Sequence, residues 1–112
     1  VFSFGINKGP SSVSDLVDFF NLDMEAVDSF IFHQANLFMN EKIRKKLKID
    51  PAKVPYSLGK FGNTSSATIP LTLVSEKKKE LENSHQKNIA CGFGVGLSWG
   101  SVYFETNNLT IP

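Results

Sequence analysis

The spacing of apolar residues predicts a helix near the start of the chain. Four apolar positions recur three or four residues apart, as expected for the buried face of a helix: Val13, Leu16, Val17 and Phe20. The preceding segment Gly9-Pro10-Ser11-Ser12 is typical of a helix start, because proline is well tolerated in the first turn. We therefore predict a helix over Pro10 to Phe20. Val1 to Ile6 alternates and fits either a strand or a first helical turn.

A compact apolar run, Ser29 to Phe32, is typical of a buried strand. Asn36 is suited to cap a following helix, since its side chain can accept a hydrogen bond from a backbone amide of the first turn. We place this helix at Leu37 to Lys46. Its apolar stripe has four-residue spacing and consists of Met39, Ile43 and Leu47.

The second half of the chain also alternates between helical and extended patterns. Asp50-Pro51 should end the preceding helix. We then predict a strand at Val54 to Leu58, a loop at Gly59 to Asn63, a helix at Thr64 to Asn83, a loop at Ser84 to Lys87, and strands at Asn88 to Cys91 and Leu97 to Glu105. This alternation favours an α/β fold in which helices cover a sheet. Residues 1–106 form the predicted domain, and residues 107–112 a frayed tail.

Composition limits the classes of protein to which the chain can belong. Its 112 residues allow one domain at most, and the 41% hydrophobic content with ten Phe can build a core. The net charge of +1 gives no strong field towards nucleic acid or membrane, and no apolar run is long enough to span a bilayer. A single cysteine excludes an intrachain disulfide and fits a cytoplasmic protein. Because the sequence begins at Val1, we expect it to be part of a longer protein.

Two polar residues thirty positions apart, His33 and Asn63, are candidates for a catalytic site. His33 follows a predicted strand, and functional side chains concentrate where strands of an α/β sheet end. The alternative is a core histidine bonded to backbone. Asn63 lies between Gly62 and a predicted helix start, so its amide can either reach a ligand or cap that helix. The residues alone do not decide whether His33 is catalytic or structural, or whether Asn63 binds a ligand or caps the helix.

Other candidate sites have weaker signals. The glycine-rich segment 92–96 lacks the lysine and the following helix of a phosphate loop, and Phe93 within it suits either a pocket or the core. Cys91 fits a buried strand position better than a nucleophile. No set of His, Cys, Asp and Glu has the spacing of a metal site.

Basic residues crowd the end of the helix that begins beside His33: Lys42, Arg44, Lys45, Lys46 and Lys48. Positive charge near a helix C-terminus is stabilising in itself, because it complements the helix dipole. The same cluster could bind an acidic partner that delivers substrate to the neighbouring site. The sequence does not choose between these interpretations.

Three motifs in the same order resemble the C-terminal part of the beta-ketoacyl-acyl-carrier-protein synthase III family, within the thiolase-like superfamily. They are His33-Gln34-Ala35-Asn36-Leu37, Gly62-Asn63-Thr64-Ser65-Ser66-Ala67 and Gly92-Phe93-Gly94-Val95-Gly96-Leu97-Ser98-Trp99-Gly100-Ser101. The resemblance covers Val1 to about Glu105. It implies the C-terminal half of an αβαβα fold, with a mixed sheet covered by helices, and a homodimer in the intact enzyme.

The resemblance implies a Cys-His-Asn site that performs a decarboxylative Claisen condensation without a cofactor. A cysteine outside this chain takes an acyl group from acyl-CoA, and His33 and Asn63 stabilise the enolate formed from malonyl-acyl-carrier protein. The chain alone should therefore be inactive. The motif match also assigns five residues to substrate binding: Gln34, Ala35, Asn36, Phe93 and Gly94.

The chain departs from the family at the residue after Leu37. Family members often have an arginine there that binds the acyl carrier protein, whereas this chain has Phe38. We expect docking to involve Phe38 together with Lys42, Lys45 and Lys46. The alternatives are a related acyltransferase of specialised metabolism or polysaccharide modification, and a non-catalytic module that binds acyl groups or the carrier protein.

Overall fold

The computed structural model describes residues 2–34, 36–57, 68–94 and 98–109. Within these ranges, four helices and three strands follow one another as α1 (Phe2–Phe19), β1 (Ser29–Phe32), α2 (Leu37–Leu47), α3 (Thr68–Glu76), α4 (Lys78–Asn83), β2 (His85–Gly94) and β3 (Ser98–Asn107). Two short 3-10 helices, Met24–Ala26 and Pro51–Lys53, lie before β1 and after α2. None of the described helices combines the length and the hydrophobicity needed to cross a membrane.

The three strands form a mixed sheet in the order β1-β2-β3. β1 pairs with β2 in parallel, with Ser29 opposite Asn88 and Phe32 opposite Cys91. β2 and β3 are antiparallel neighbours. Because β1 and β2 run in the same direction, their carboxyl ends lie at the same edge of the sheet.

The core lies between this sheet and the helices. All four residues of β1 are buried, which explains why its sequence is a continuous apolar run rather than an alternating one. α1 contacts α2, β2 and β3, and α3 contacts β1. Gly9 in α1 faces Ile43 in α2, and a Cβ on Gly9 would lie 3.3 Å from the Ile43 Cδ1 atom. The absence of a side chain there permits the close approach of these two helices.

Local sequence signals predicted β1 and α2 correctly. The strand has the predicted bounds, and Asn36 caps α2 by accepting a hydrogen bond from the Met39 backbone N–H at 2.8 Å. Met39 and Ile43 are buried, and Leu47 is partly buried, so the predicted stripe faces the core. The helix ends at Leu47, and its C-cap residue Lys48 is in a left-handed conformation with φ of 58°, two residues before Asp50-Pro51.

The prediction for the N-terminal helix was wrong in its start. α1 begins at Phe2 and continues through Pro10, instead of beginning there. An internal proline removes one helical hydrogen bond. Here the packing of Gly9 on Ile43 and the full burial of Val13 hold the helix together on both sides of Pro10.

Three further element predictions need correction. Residues 54–57 form no strand, since the Ser57 N–H bonds to the Gln34 side chain rather than to a neighbouring strand. The predicted long helix is divided at Lys77 into α3 and α4, and residues 58–67, which include its predicted start, lie outside the described residues. The predicted loop at Ser84 to Lys87 is largely strand, because β2 already pairs with β3 at His85.

Residues 107–109, the described part of the predicted tail, contact the rest of the chain. β3 extends to Asn107, and the Leu109 N–H donates to the Leu81 carbonyl of α4 at 2.8 Å. Residues 110–112 lie outside the described residues.

Candidate active site

His33 directly follows β1, and its backbone is held from two directions. Its N–H donates to the Cys91 carbonyl of β2 at 3.0 Å, which continues the parallel ladder by one residue. Its own carbonyl accepts a hydrogen bond of 2.9 Å from the side-chain amide of Asn40, a fully buried residue of α2. Strand and helix together therefore fix the position from which the imidazole projects.

The His33 side chain is partly buried, and this burial lowers its pKa from the ordinary value of 6.5. Desolvation disfavours the imidazolium, so the ring is neutral at neutral pH. A neutral imidazole carries one N–H that can donate to a developing oxyanion. Unlike an imidazolium, it carries no second N–H that could give up its proton to the product.

Gln34 is fully buried, and both ends of its amide are bonded within the chain. Its Nε2 atom donates to the Phe32 carbonyl at 2.8 Å, and its Oε1 atom accepts from the Ser57 N–H at 3.0 Å. The Ser57 hydroxyl in turn lies 2.8 Å from the Thr72 hydroxyl of α3. The Gln34 amide thus connects segments of the chain, and the assignment of Gln34 to substrate binding stays a prediction.

The other residues predicted to bind substrate differ from Gln34 in their positions and contacts. The Asn36 side-chain oxygen is occupied in capping α2, although the residue itself is exposed. Phe93 and Gly94 are the last two residues of β2, opposite Trp99 and Ser98, at the edge of the sheet where β1 also ends. The backbone thus brings His33 and this end of β2 to one edge. Ala35 and Asn63 lie outside the described residues.

A charged cluster that the sequence reading did not single out lies beside the site. Glu41 of α2 receives hydrogen bonds from Arg44 at 2.8 and 3.0 Å and from the Tyr56 hydroxyl at 2.5 Å. The bonds from Arg44 and Tyr56 lower the pKa of Glu41 from 4.5 to about 2. Burial and the neighbouring carboxylate raise the pKa of Tyr56. Glu41 and Arg44 are three residues apart on a helix, and this spacing indicates an ion pair. No feature of the neighbouring sequence indicated that Tyr56 would join it.

The remaining basic residues of α2 face solvent. Lys42, Lys45 and Lys46 are exposed, as is Phe38, whose ring lies 5.4 Å from the Lys42 Nζ atom. Lys46 also donates to the Asn7 side chain at 3.3 Å. This exposed group of Phe38, Lys42, Lys45 and Lys46 is called the α2 patch below.

Cys91 is fully buried in the sheet, with its Sγ atom 3.8 Å from the Gly9 carbonyl oxygen. Burial raises the pKa of its thiol. It therefore has neither the exposure nor the acidity of a nucleophilic cysteine. Among the described residues, no group of three or more His, Cys, Asp and Glu side chains is arranged to hold a metal ion.

Comparison with known proteins gives one consistent result. A family profile described as the C-terminal region of 3-oxoacyl-[acyl-carrier-protein] synthase III matches residues 18–106. The beta-ketoacyl-[acyl-carrier-protein] synthase III of Trichodesmium erythraeum is 37% identical over 107 residues, and that of Streptococcus mutans is 40% identical over 105 residues. These matches cover 96% and 91% of this chain but only 32% of each relative, so the chain spans about a third of their length.

A solved structure extends this likeness to three dimensions. The crystal structure of a 3-oxoacyl-(acyl-carrier protein) synthase from Burkholderia xenovorans superposes with a TM-score of 0.95 at 40% identity, over 99% of this chain and 32% of that one. The predicted mixed α/β architecture of the thiolase-like type is confirmed. The chain belongs to the 3-oxoacyl-[acyl-carrier-protein] synthase III family, as its C-terminal domain.

Proposed function

We propose that this domain supplies the enolate-stabilising half of a decarboxylative condensing site. The observation that carries the proposal is the setting of His33: a neutral imidazole at the end of a buried strand, with its backbone fixed by Cys91 and Asn40. Two neutral donors, His33 and Asn63, would bind the thioester oxygen of a malonyl group as negative charge develops there. Removal of one such donor typically costs about a hundredfold to a thousandfold in rate.

The proposed reaction has three balanced steps. A cysteine thiolate displaces coenzyme A from acyl-CoA and forms an acyl-cysteine thioester. Malonyl-acyl-carrier protein loses carbon dioxide, and the electron pair of the broken carbon–carbon bond forms the enolate held by His33 and Asn63. The enolate carbon then attacks the acyl-cysteine, which releases 3-oxoacyl-acyl-carrier protein and regenerates the thiolate. A neutral His33 suits the second step, because an imidazolium could protonate the carbanion.

The nucleophile in this proposal is not part of the chain. Cys91 is its only cysteine, and burial removes that thiol from reach. We therefore propose that the 112 residues alone are inactive and act within an enzyme of the length of the relatives. That enzyme would be a cytoplasmic homodimer that needs acyl-CoA and an acyl carrier protein, but no cofactor.

The α2 patch is the proposed docking surface for the acyl carrier protein. Three exposed ammonium groups can attract an acidic partner, and the exposed Phe38 ring adds apolar contact area at the position beside Leu37. α2 begins at Leu37, four residues after His33, so a carrier bound on this helix would lie near the site.

Product analysis of the complete native polypeptide tests the reaction. We expect acyl-CoA and malonyl-acyl-carrier protein to yield carbon dioxide and 3-oxoacyl-acyl-carrier protein in equal amounts. Acylation of a hydroxyl acceptor without carbon dioxide release would instead identify an acyltransferase. Binding of acyl-CoA or carrier protein with no turnover would identify a non-catalytic module.

Labelling with iodoacetamide locates the nucleophile in the same protein. We expect fast modification of a cysteine outside residues 1–112, with protection by acyl-CoA, while Cys91 remains unmodified until the protein is unfolded. Modification of Cys91 in the folded protein, with protection by acyl-CoA, would contradict the assignment.

A further inference from the structure

Both peptide groups that flank the Cα atom of His33 are held by hydrogen bonds. The first group, between Phe32 and His33, donates its N–H to the Cys91 carbonyl at 3.0 Å. Its carbonyl accepts from the Gln34 side-chain amide at 2.8 Å. The second group, between His33 and Gln34, accepts from the side-chain amide of Asn40 at 2.9 Å. Because two peptide planes meet at each Cα atom, these bonds together fix φ and ψ of His33 and the direction of its Cα–Cβ bond.

The bond from Asn40 comes from a different element than the others. Cys91 belongs to the sheet and Gln34 to the segment that continues β1, whereas Asn40 lies on α2. The first turn of α2 is itself held at its start, since the Asn40 N–H donates to the Asn36 carbonyl at 3.0 Å and the Asn36 side chain caps the helix. The Asn40 amide therefore donates to His33 from a helical turn whose own backbone is fixed.

Asn40 is an unfavourable residue for the stability of α2. It is fully buried on a helix whose other buried residues, Met39 and Ile43, are apolar. Asparagine is a weaker helix former than leucine or methionine. Within the part of the chain that the structure describes, its Oδ1 atom is buried without a hydrogen-bond partner, which also lowers stability. The bond to the His33 carbonyl therefore explains an amide at this position better than packing does.

We propose that Asn40 is a positioning residue, which orients the His33 imidazole by holding the carbonyl of the same residue. The inference rests on the proposed function, because the orientation of the ring matters for the reaction only if the ring donates to the enolate oxygen. With the first peptide group alone held, rotation about φ would displace the Cβ atom of His33 and the ring with it. A misplacement of about 1 Å can cost about a hundredfold in rate.

A double-mutant cycle with Asn40→Leu and His33→Ala tests this role in the complete native polypeptide. Leucine has a similar size and no donor, so the bond to the His33 carbonyl is lost while packing is largely kept. We expect Asn40→Leu to lower kcat for malonyl decarboxylation about tenfold to a hundredfold when His33 is present, and less than about threefold when position 33 is alanine. A residue that only stabilises the fold would lower the rate equally in both backgrounds.

Two further readouts separate positioning from a general structural role. In Asn40→Leu, acylation of the cysteine by acyl-CoA and KM for malonyl-acyl-carrier protein should each change less than about twofold. The reason is that the proposed mechanism uses the His33 ring in neither acylation nor carrier binding. Loss of acylation in proportion to decarboxylation would overturn the inference.

Failure of the inference and failure of the proposed function give different results. If His33→Ala alone leaves decarboxylation intact, the proposed function fails, and the positioning role fails with it. If His33→Ala removes most of the rate and Asn40→Leu has an equal effect in both backgrounds, only the positioning role fails.

A second variant and a matched control keep the test decisive. If Asn40→Leu does not fold, Asn40→Ser enters the same cycle, because its hydroxyl is too short to reach the His33 carbonyl. If neither variant folds, Asn40 is a structural residue and the inference fails.

The matched control is Asn88→Leu, which removes another buried amide that donates to backbone carbonyls, at the opposite end of the β1–β2 pair. We expect this control to lower decarboxylation less than about twofold. A loss as large as that of Asn40→Leu, absent again in the His33→Ala background, would contradict a specific role for Asn40.

Discussion

The protonation state of His33 gives the most specific residue-scale prediction. Burial lowers its pKa below 6.5, so the ring gains a proton only at more acidic pH. We expect the acid limb of the kcat/KM profile for malonyl decarboxylation to lie below pH 6.5, with activity lost as the imidazolium forms. The profile of the His33→Ala variant should lack this limb. A limb at or above pH 6.5, or its persistence in the variant, would contradict the account.

The sequence predicted that His33 follows a strand, but it did not predict the partners of the Gln34 side chain, and the difference has a physical reason. His33 could be identified from the strand before it and the helix cap after it, which are local features. The partners of Gln34 are separated from it in sequence, since Ser57 lies 23 residues away. A motif shows that a residue type is present, but not whether its amide faces a ligand or the backbone. Only the fold shows that the Gln34 side chain is buried and bonded within the chain.

The cluster of Glu41, Arg44 and Tyr56 connects α2 with the segment before residue 58, and it predicts a pH-dependent stability. The Glu41 pKa is about 2 in the folded protein and near 4.5 when unfolded, so its stabilisation is present above about pH 4.5 and is lost as the pH falls towards 2. We expect Glu41→Gln to lower the free energy of unfolding by about 1 kcal/mol at pH 7, since Glu41 is partly exposed and solvent screens its interactions.

Urea unfolding of both proteins at several pH values measures this difference, which should shrink below pH 4.5. The control is Glu105→Gln, which removes an exposed carboxylate bonded to Tyr103 and His85. Its effect should be smaller, because the side chains of Glu105 and His85 are more exposed than that of Glu41. A pH-independent difference for Glu41→Gln would show that lost packing, rather than charge, is responsible.

The α2 patch supports a prediction about carrier binding at the level of the helix. We expect Lys42→Glu combined with Lys45→Glu to raise KM for malonyl-acyl-carrier protein at least about tenfold with little change in kcat, and to weaken the dependence of KM on salt. The matched control is Lys78→Glu with Lys79→Glu, an equal change of charge at exposed positions of α4. Equal effects from both pairs would indicate general electrostatic attraction and no specific docking surface.

Helices and strands that are marked by a cap or by apolar spacing in their own sequence were predictable. Those that depend on pairing with residues far away in the sequence were not. Asn36 and the stripe of Met39 and Ile43 define α2 within the helix itself. The polar residues from His85 to Lys87 resemble a loop, but their backbone pairs with β3, and the Lys87 N–H also bonds to the Asp28 carboxylate at 2.8 Å. Strand pairing there determines a backbone conformation that the polar sequence does not favour. At Pro10 the packing of α1 has the same effect.

At the scale of the whole molecule, the 112 residues expose several large apolar side chains. Phe19 is 81% and Phe20 59% exposed, in edge-to-face contact at the end of α1, and Phe38 is 61% exposed. We expect the chain expressed alone to associate, because these groups gain by leaving water. Sedimentation velocity should show larger species at higher concentration, and Phe19→Ser with Phe20→Ser should reduce them. A sharp monomer that unfolds cooperatively would contradict this.

The central claim is that this domain stabilises the enolate while another part of the protein carries the acyl group. Measurement of both half-reactions in His33→Ala, made in the complete native polypeptide, tests it most directly. We predict that carbon dioxide release from malonyl-acyl-carrier protein falls about a hundredfold or more, while acylation of the cysteine by acyl-CoA changes only slightly. Equal loss of both half-reactions, or undiminished carbon dioxide release, would contradict the role assigned to His33.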